Sequence, residues 1–352
     1  VIPAGAAAVF FCIVAVNVLA WRKLGRGVAP EGSISILIPA RNEEFRLPGC
    51  LESLLSQTAC EILVYDDHSE DRTAGVIDGF ALRDARIRRL EPAPLPEGWC
   101  GKNFACSQLA AHAAGDWMLF LDADVRVAPG AAARIAAEAE RRSLTMLSCW
   151  PRFAMSGFWE NTLMPMLNFL VFCLFPAPLA YFFGHPSLGL AHGACILTRR
   201  DVYRRLGGHS LVRREIFEDT RLAQLWRTHG ERSLCLDGQD LVEVRMYSGF
   251  SEIWQGFQKN FAPAFRHRIN FWLFLILHFS VFLLPFLLGN LFAIALVLSA
   301  RALLAARFRG QKWWSVLLHP LGESVLIALA LTSWWKCRSG QGALWKGRVV
   351  RI

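Results

Sequence analysis

The sequence predicts an α/β domain built on a mostly parallel sheet, with membrane-spanning helices before and after it. Three observations predict this. Short continuous apolar runs alternate with helix-patterned segments over about 230 residues from Ser33, and strands apolar on both faces belong to parallel sheets covered by helices. Uncharged runs of membrane length lie outside that region, at 2–21 and 271–300. Three of the strand candidates end in polar clusters, and open α/β sheets bind ligands beyond the carboxyl ends of their strands.

The elements follow in order. Residues 2–21 (IPAGAAAVFFCIVAVNVLAW) meet the roughly 20-residue apolar requirement of a span. Arg22, Lys23 and Arg26 come after this run rather than before it. That order reads as an uncleaved anchor, residues 1–22, with its C-terminal end in the cytoplasm. Strands are expected at 33–40 (SISILIPA), 61–65 (EILVY), 117–121 (WMLFL) and 145–150 (TMLSCW), and helices at 46–57, 72–84, 103–114 and 131–141. The clusters ARNEE (40–44), DDHSED (66–71) and DADV (122–125) then share one sheet edge.

Segment 161–184 is uncharged but interrupted by Pro165, Pro176 and Pro178. A full crossing there would separate Asp124 from Asp219, so a membrane-surface element that admits a lipid is expected. The catalytic domain is placed at 33–250, and the aromatic, basic stretch that follows it (251–270) at the membrane interface. Residues 271–300 would make about 45 Å of helix, too long for one upright span of roughly 30 Å and short for two. A hairpin broken near Pro285 or Gly289-Asn290 is expected, with 313–335 re-entrant around Pro320 inside a membrane region 271–337. Both the 301–312 loop (Arg301, Arg307, Arg309, Lys312) and the basic tail 338–352 favour the cytoplasmic side.

Composition narrows the function. The hydrophobic share is 54% and the charged share 19%, unlike a soluble enzyme. Of the net charge of +9, residues 301–352 contribute +8 (nine Lys/Arg less one Glu). The rest is near neutral, which argues against a nucleic-acid partner, whereas a basic face beside anionic lipid explains the tail. The ten cysteines form no C-x-x-C pair; they read as reduced packing residues, not a disulfide frame or zinc site.

The chemistry is carried by acids. Asp122 and Asp124 leave an apolar strand one residue apart, and such a pair is costly to desolvate unless something positive sits between them. An Asp-capped turn is the plain alternative. No G-x-G-x-x-G follows the first strand, and Gly101-Lys102 is not a P-loop, because Pro96 and Asn103 occupy its glycine and Ser/Thr positions. A divalent cation, Mg or Mn, bound by hard Asp oxygens would supply the charge. GWCGKNFAC (98–106) places Lys102 near a helix N-terminus, where anions are favoured. REIFEDTRLAQLW brings Glu218 and Asp219 to the start of another helix, whose dipole is expected to keep Asp219 ionised. Asp66 and Asp71 also suit caps of the following turn and helix.

SILIPARNEE, VYDDHSEDRT, GKNFAC…AAGDWMLFLDADV, GACILTRRDVYRRLGGH and FEDTRLA stand in the order of the family 2 glycosyltransferases, which the chain resembles from about residue 33 to 265. The GW-x-GK element, the GGH…ED spacing and the flanking apolar segments look most like the carotenoid-acid glycosyltransferases of the diaponeurosporenoate type; hopanoid-associated glycosyltransferases share several of them. The resemblance implies a GT-A fold and inverting transfer of a sugar from a nucleotide-diphosphate sugar, UDP-glucose, to a lipophilic membrane acceptor. It implies a nucleoside pocket lined by Pro39, Ala40, Arg41 and Glu43, with Asp67 and its neighbour Asp66 on the base and Lys102 supporting the nucleotide. It also implies Asp122 at ribose and sugar, Asp124 (with Asp122) on the metal, Asp219 as general base and Glu218 orienting the site. The Q-x-x-R-W signature of processive polysaccharide synthases is reduced here to Gln255 with Lys259, which disfavours a polymer-extruding synthase and leaves Lys259 as a candidate charge for the diphosphate. A catalytically silent membrane scaffold is the reading from another class, opposed by the joint presence of Asp122, Asp124, Asp219 and Lys102. The expected location is the cytoplasmic membrane, multi-pass, with the catalytic domain facing the cytoplasm.

Overall fold

The computed structural model describes residues 2–25, 29–265, 267–339, 343–345 and 348–350. Arg26 and most of the expected basic tail lie outside the described residues. The chain forms two compact units: one of residues 22–152 and 180–244, the other of 1–21, 153–179 and 245–352.

The first unit is α/β. Its strands β1 (Ile34–Ala40), β2 (Glu61–Asp66), β3 (Ile87–Leu90) and β4 (Trp117–Leu121) join Met146–Trp150, Cys195–Arg199 and Ser233–Asp237 in one seven-stranded sheet. Spatial order runs β3, β2, β1, β4, Cys195–Arg199, Met146–Trp150, Ser233–Asp237. Every neighbouring pair is parallel except the two made by Cys195–Arg199, which runs against both β4 and Met146–Trp150. Both faces are covered, and for that reason Ile36, Leu37, Ile38, Ile62, Leu63, Val64, Met118 and Leu119 are buried without alternation. With the helix Ile2–Ala20 of the other unit counted as α1, helices α2 (Leu47–Leu54), α3 (Thr73–Ala81) and α4 (Gly101–His112) fall where the helical patterns stand. The edge strand β3 and the reversed strand were not anticipated; the first is a short, charged IRRL segment, and the second sits inside a motif-rich stretch.

One core cluster joins α4, the sheet face of Leu37, Leu63 and Phe120, and the helix Glu218–Thr228 through Leu222, Ala223 and Trp226. Trp226 is fully buried, and its indole Nε1–H donates to Thr145 Oγ1 at 3.1 Å. Trp226→Ala should therefore lower stability by about 3–5 kcal/mol, read from thermal unfolding in detergent. An unchanged melting curve would show that the helix carrying the acidic pair is not anchored there.

The second unit is helical. The run Arg268–Leu288, which contains a π-helical turn at His278–Leu283, is the one described helix long and apolar enough to cross a membrane; 4–20 and 158–174 are apolar but shorter. The expected break falls at Gly289, in the left-handed region with φ +66°, where Cβ is unfavourable. Asn290 then caps the helix Leu291–Arg307 by accepting the Ala293 N–H.

The expectation for 161–184 divides, and one other is corrected. The helix Phe158–Leu174 is mostly buried within this unit, whereas Leu179, Phe182 and Phe183 after it are exposed. Asn17 caps its far end, donating to Phe172 O at 2.7 Å and Phe175 O at 2.8 Å and accepting from Ala177 N–H at 2.9 Å. Arg301 is not a loop charge: it lies inside the helix Leu291–Arg307, fully buried, and donates to Pro165 O at 2.9 Å.

Candidate active site

Adjacent parallel strands β2, β1 and β4 bring ARNEE, DDHSED and DADV out at the same sheet edge. The first two loops are laced together. Asn42 and His68 adopt positive φ (52° and 53°), which these residue types tolerate better than most. The Asn42 N–H donates to Ser69 Oγ at 2.9 Å, and its Oδ1 accepts the Glu70 N–H at 2.9 Å. The Glu43 N–H reaches Thr73 Oγ1 and the Glu44 N–H reaches Asp71 Oδ2. Asp71 also accepts from Thr73, so it is a cap.

Pro39 and Ala40 pair with Tyr65 and Asp66 in the ladder. Arg41 is 7% exposed and donates to the carbonyls of Asp67 at 2.6 Å and His68 at 3.1 Å. The guanidinium thus ties one strand end to the next. Asp66 and Asp67 are buried; Asp66 Oδ1 accepts the Ser69 N–H, and Asp67 Oδ1 lies 3.3 Å from His68 Nδ1.

Lys102, in the first turn of α4, forms the centre. Its Nζ lies 2.8 Å from Asp122 Oδ1 and 2.9 Å from Glu218 Oε1. Burial opposes its charge, but the two carboxylates outweigh burial and hold its pKa well above the ordinary value. Lys102 thereby links the end of β4 to the start of the helix Glu218–Thr228. Glu218 is likewise opposed by burial, and Lys102 wins and lowers its pKa. Three charges alternate along this bridge: Asp122, Lys102, Glu218.

Asp124 is different. Its Oδ1 is buried with no hydrogen-bond partner among the described residues. Burial, then Asp122 and Glu43, push its pKa up to about 7 against the opposing pull of Arg46 and Lys102. An unpartnered buried carboxylate oxygen beside a second acid is what a divalent cation would relieve. No described group of three His, Cys, Asp or Glu residues is arranged to hold a metal alone. Magnesium is ordinarily held by one or two carboxylates plus substrate phosphates, so the Asp122–Asp124 pair fits a cation shared with a bound diphosphate.

Asp219 stands in the first turn of its helix, beside Glu218. Its Oδ2 accepts the Gly193 N–H at 2.8 Å and its Oδ1 the Thr220 N–H at 2.6 Å. The helix dipole expected to favour its charge is not the dominant influence here. Burial, then Glu218, raise its pKa to about 7, against the two N–H donors and Lys102. A first-turn dipole is worth about 0.3–1 kcal/mol, less than desolvation and a neighbouring like charge together. The result is a carboxylate that titrates near neutrality.

Asp122, Lys102, Glu218 and Asp219 are therefore brought together, and Asp124 follows Asp122 on the same loop. Lys259 belongs to the other unit, on the helix Gly249–Phe261. Sequence reasoning missed Gly193 and Thr220, which act through backbone N–H groups that carry no residue-type signal. It also missed Asn103, whose Nδ2 donates to Val212 O at 2.7 Å and Glu215 O at 2.9 Å and so fixes the loop before Glu218. His192 was missed too. Burial lowers its pKa to about 3, and its Nδ1 accepts the Ala194 N–H at 3.2 Å.

Comparison with known proteins agrees with this geometry. The sequence model of Glycosyl transferase family 2 matches residues 35–207. A 4,4'-diaponeurosporenoate glycosyltransferase of Staphylococcus haemolyticus is 30% identical over 65% of this chain and 61% of its own length. One from Staphylococcus aureus is 27% identical over 91% of this chain and 88% of its own. Among solved structures, a mannosyltransferase from Pyrobaculum calidifontis, in complex with GDP-Man and Mn2+, superimposes with a TM-score of 0.57 at 18% identity, covering 94% of each chain.

Proposed function

The chain is a family 2 glycosyltransferase of GT-A fold, and from that premise we propose that it transfers a sugar, with inversion, from a nucleotide-diphosphate sugar to a long apolar acid at a membrane. One observation carries the reading: the Asp122–Lys102–Glu218 bridge ends beside Asp219, whose carboxyl is oriented by two backbone N–H groups. A base of pKa near the working pH suits proton removal, and a single base suits direct displacement.

The acceptor oxygen attacks the anomeric carbon, forming the new C–O bond as the bond to the diphosphate oxygen breaks. When the acceptor is a hydroxyl, its proton passes to Asp219. When it is a carboxylic acid, it arrives ionised, and Asp219 positions it instead. Lys102 keeps Asp122 and Glu218 neutralised around the reacting centre. Asp124 and Asp122 would hold a divalent cation, Mg or Mn, which when bound supplies charge stabilisation to the leaving diphosphate. The nucleoside would lie over Pro39, Ala40 and Glu43, with Asp67 and Asp66 at the base. Arg41 would act by holding those loops, and Lys259 would lend charge to the diphosphate.

The relatives' names support a carotenoid acid as acceptor, with UDP-glucose as donor by resemblance and a hopanoid or other polyprenyl lipid as the alternative. An apolar acceptor suits the helical unit, where Ile269, Leu273 and Ile276 stand exposed on the helix Arg268–Leu277. The uncharged runs 2–21 and 271–300 and the basic residues that follow them support a multi-pass protein of the cytoplasmic membrane, with the catalytic residues (domain 33–250) facing the cytoplasm, an anchor at 1–22 and membrane segments in 251–337.

The test is a transfer assay with purified protein in detergent, UDP-glucose and a long-chain polyene acid. A glycosyl ester should form, and a water-soluble oligosaccharide should not compete. An oligosaccharide that outcompetes every lipid tested would sink the acceptor assignment.

A further inference from the structure

Gly193 lies in the loop that enters the strand Cys195–Arg199. Its backbone is not in the left-handed region, so conformation does not demand glycine there. Packing against main chain does not demand it either. At Gly189, by contrast, an added Cβ would meet the backbone of Gln224 at 2.6 Å. At Gly193 it would meet Lys102 Nζ at 3.2 Å, Asp219 Oδ2 at 3.4 Å and Asp122 Oδ2 at 3.7 Å. All three are ends of side chains, and all three belong to the site.

We infer that Gly193 is a positioning residue for glycosyl transfer: its bare α-carbon leaves the room in which Lys102 bridges Asp122 to Glu218, while its N–H orients Asp219. This rests on the reading of Asp219 as base. A methyl group on Gly193 can neither accept from the ammonium nor donate to the carboxylates. The ammonium is the nearest and most movable neighbour, so it yields first. It must give by a few tenths of an ångström, which moves it off the point from which it holds its 2.8 Å and 2.9 Å contacts. With the bridge loosened, Asp122 and Glu218 face the reacting centre less neutralised, and the groups around the anomeric carbon lose register. The fold tolerates the change because no backbone atom is displaced.

The experiment compares Gly193→Ala, Lys102→Ala and the double variant in turnover, in affinity for UDP alone and in melting temperature, with Asp219→Asn alongside. Gly193→Ala should lower turnover by about tenfold, less than the roughly hundredfold that a 1 Å misplacement can cost, with melting temperature unchanged and UDP affinity lowered no more than in Lys102→Ala. In the Lys102→Ala background the methyl has no ammonium to displace. The double variant should then lose no more than Lys102→Ala alone, as coupled neighbours do. Wild-type turnover in Gly193→Ala overturns the inference, as do losses that multiply in the double variant. So does a Gly193→Ala protein that no longer melts cooperatively, since Gly193 would then serve the fold. Asp219→Asn separates the two readings. If it stays active with a hydroxyl acceptor, the base assignment fails; if it is inactive while Gly193→Ala is wild type, only the Gly193 inference fails.

Discussion

Asp219→Asn should lower turnover with a hydroxyl acceptor by roughly a hundred- to ten-thousandfold, the range for a positioned general base, and leave donor affinity nearly unchanged. Asparagine keeps the shape but accepts only one of the Gly193 and Thr220 N–H groups and turns its NH2 towards the other, so melting temperature is read alongside turnover to separate the proton from the fold. The pKa of about 7 gives a second readout. The base works only when ionised, so wild-type kcat/KM with a hydroxyl acceptor should rise as pH passes upward through about 7 and then level off. With a carboxylic-acid acceptor no proton has to leave. The loss in Asp219→Asn should then be much smaller, and the rise through neutrality absent. Glu218→Gln should cost less than Asp219→Asn with a hydroxyl acceptor, since Glu218 acts through Lys102. Wild-type turnover of Asp219→Asn with a hydroxyl acceptor would remove Asp219 from the base role.

Asp124→Asn should abolish transfer while the protein stays folded and membrane-bound. Its carboxyl oxygen has no partner among the described residues, so neutralising it removes a buried like-charge repulsion with Asp122 and should not lower the melting temperature. A ligand that binds only the folded state stabilises it by about 2.7 kcal/mol at a hundred times its Kd. Mn2+ or Mg2+ with UDP should therefore raise the melting temperature of the wild type more than that of Asp124→Asn. Full activity in chelator, or equal cation stabilisation of both proteins, would take the metal away from Asp124.

Much of the fold was legible for a physical reason. Strands buried on both faces must be continuously apolar, so SISILIPA, EILVY and WMLFL declare themselves, and a parallel sheet forces their polar C-terminal ends onto one edge. Periodicity also placed the helix Ala131–Arg141 on its observed bounds. The reversed strand Cys195–Arg199 was not legible, because strand direction is set by the path of the chain between strands and not by the pattern within one. The burial of Phe158–Leu174 was hidden likewise: a helix apolar on all sides reads the same whether lipid or protein surrounds it.

The sequence by itself determined the acidic inventory of the site and the family it resembles: the D-x-D pair after an apolar strand, the lysine at a helix start and the acidic pair at another. Only the tertiary structure decided how those charges are spent. Lys102 joins Asp122 to Glu218, which stand 96 positions apart in the sequence. Asp219 titrates near 7 rather than as an ordinary first-turn acid, and Gly193, which opens the GACILT motif without revealing its task there, supplies the N–H and the space. The reason is that a pKa and a contact depend on burial and on neighbours brought from distant segments, and neither quantity is written in the order of residues along one element.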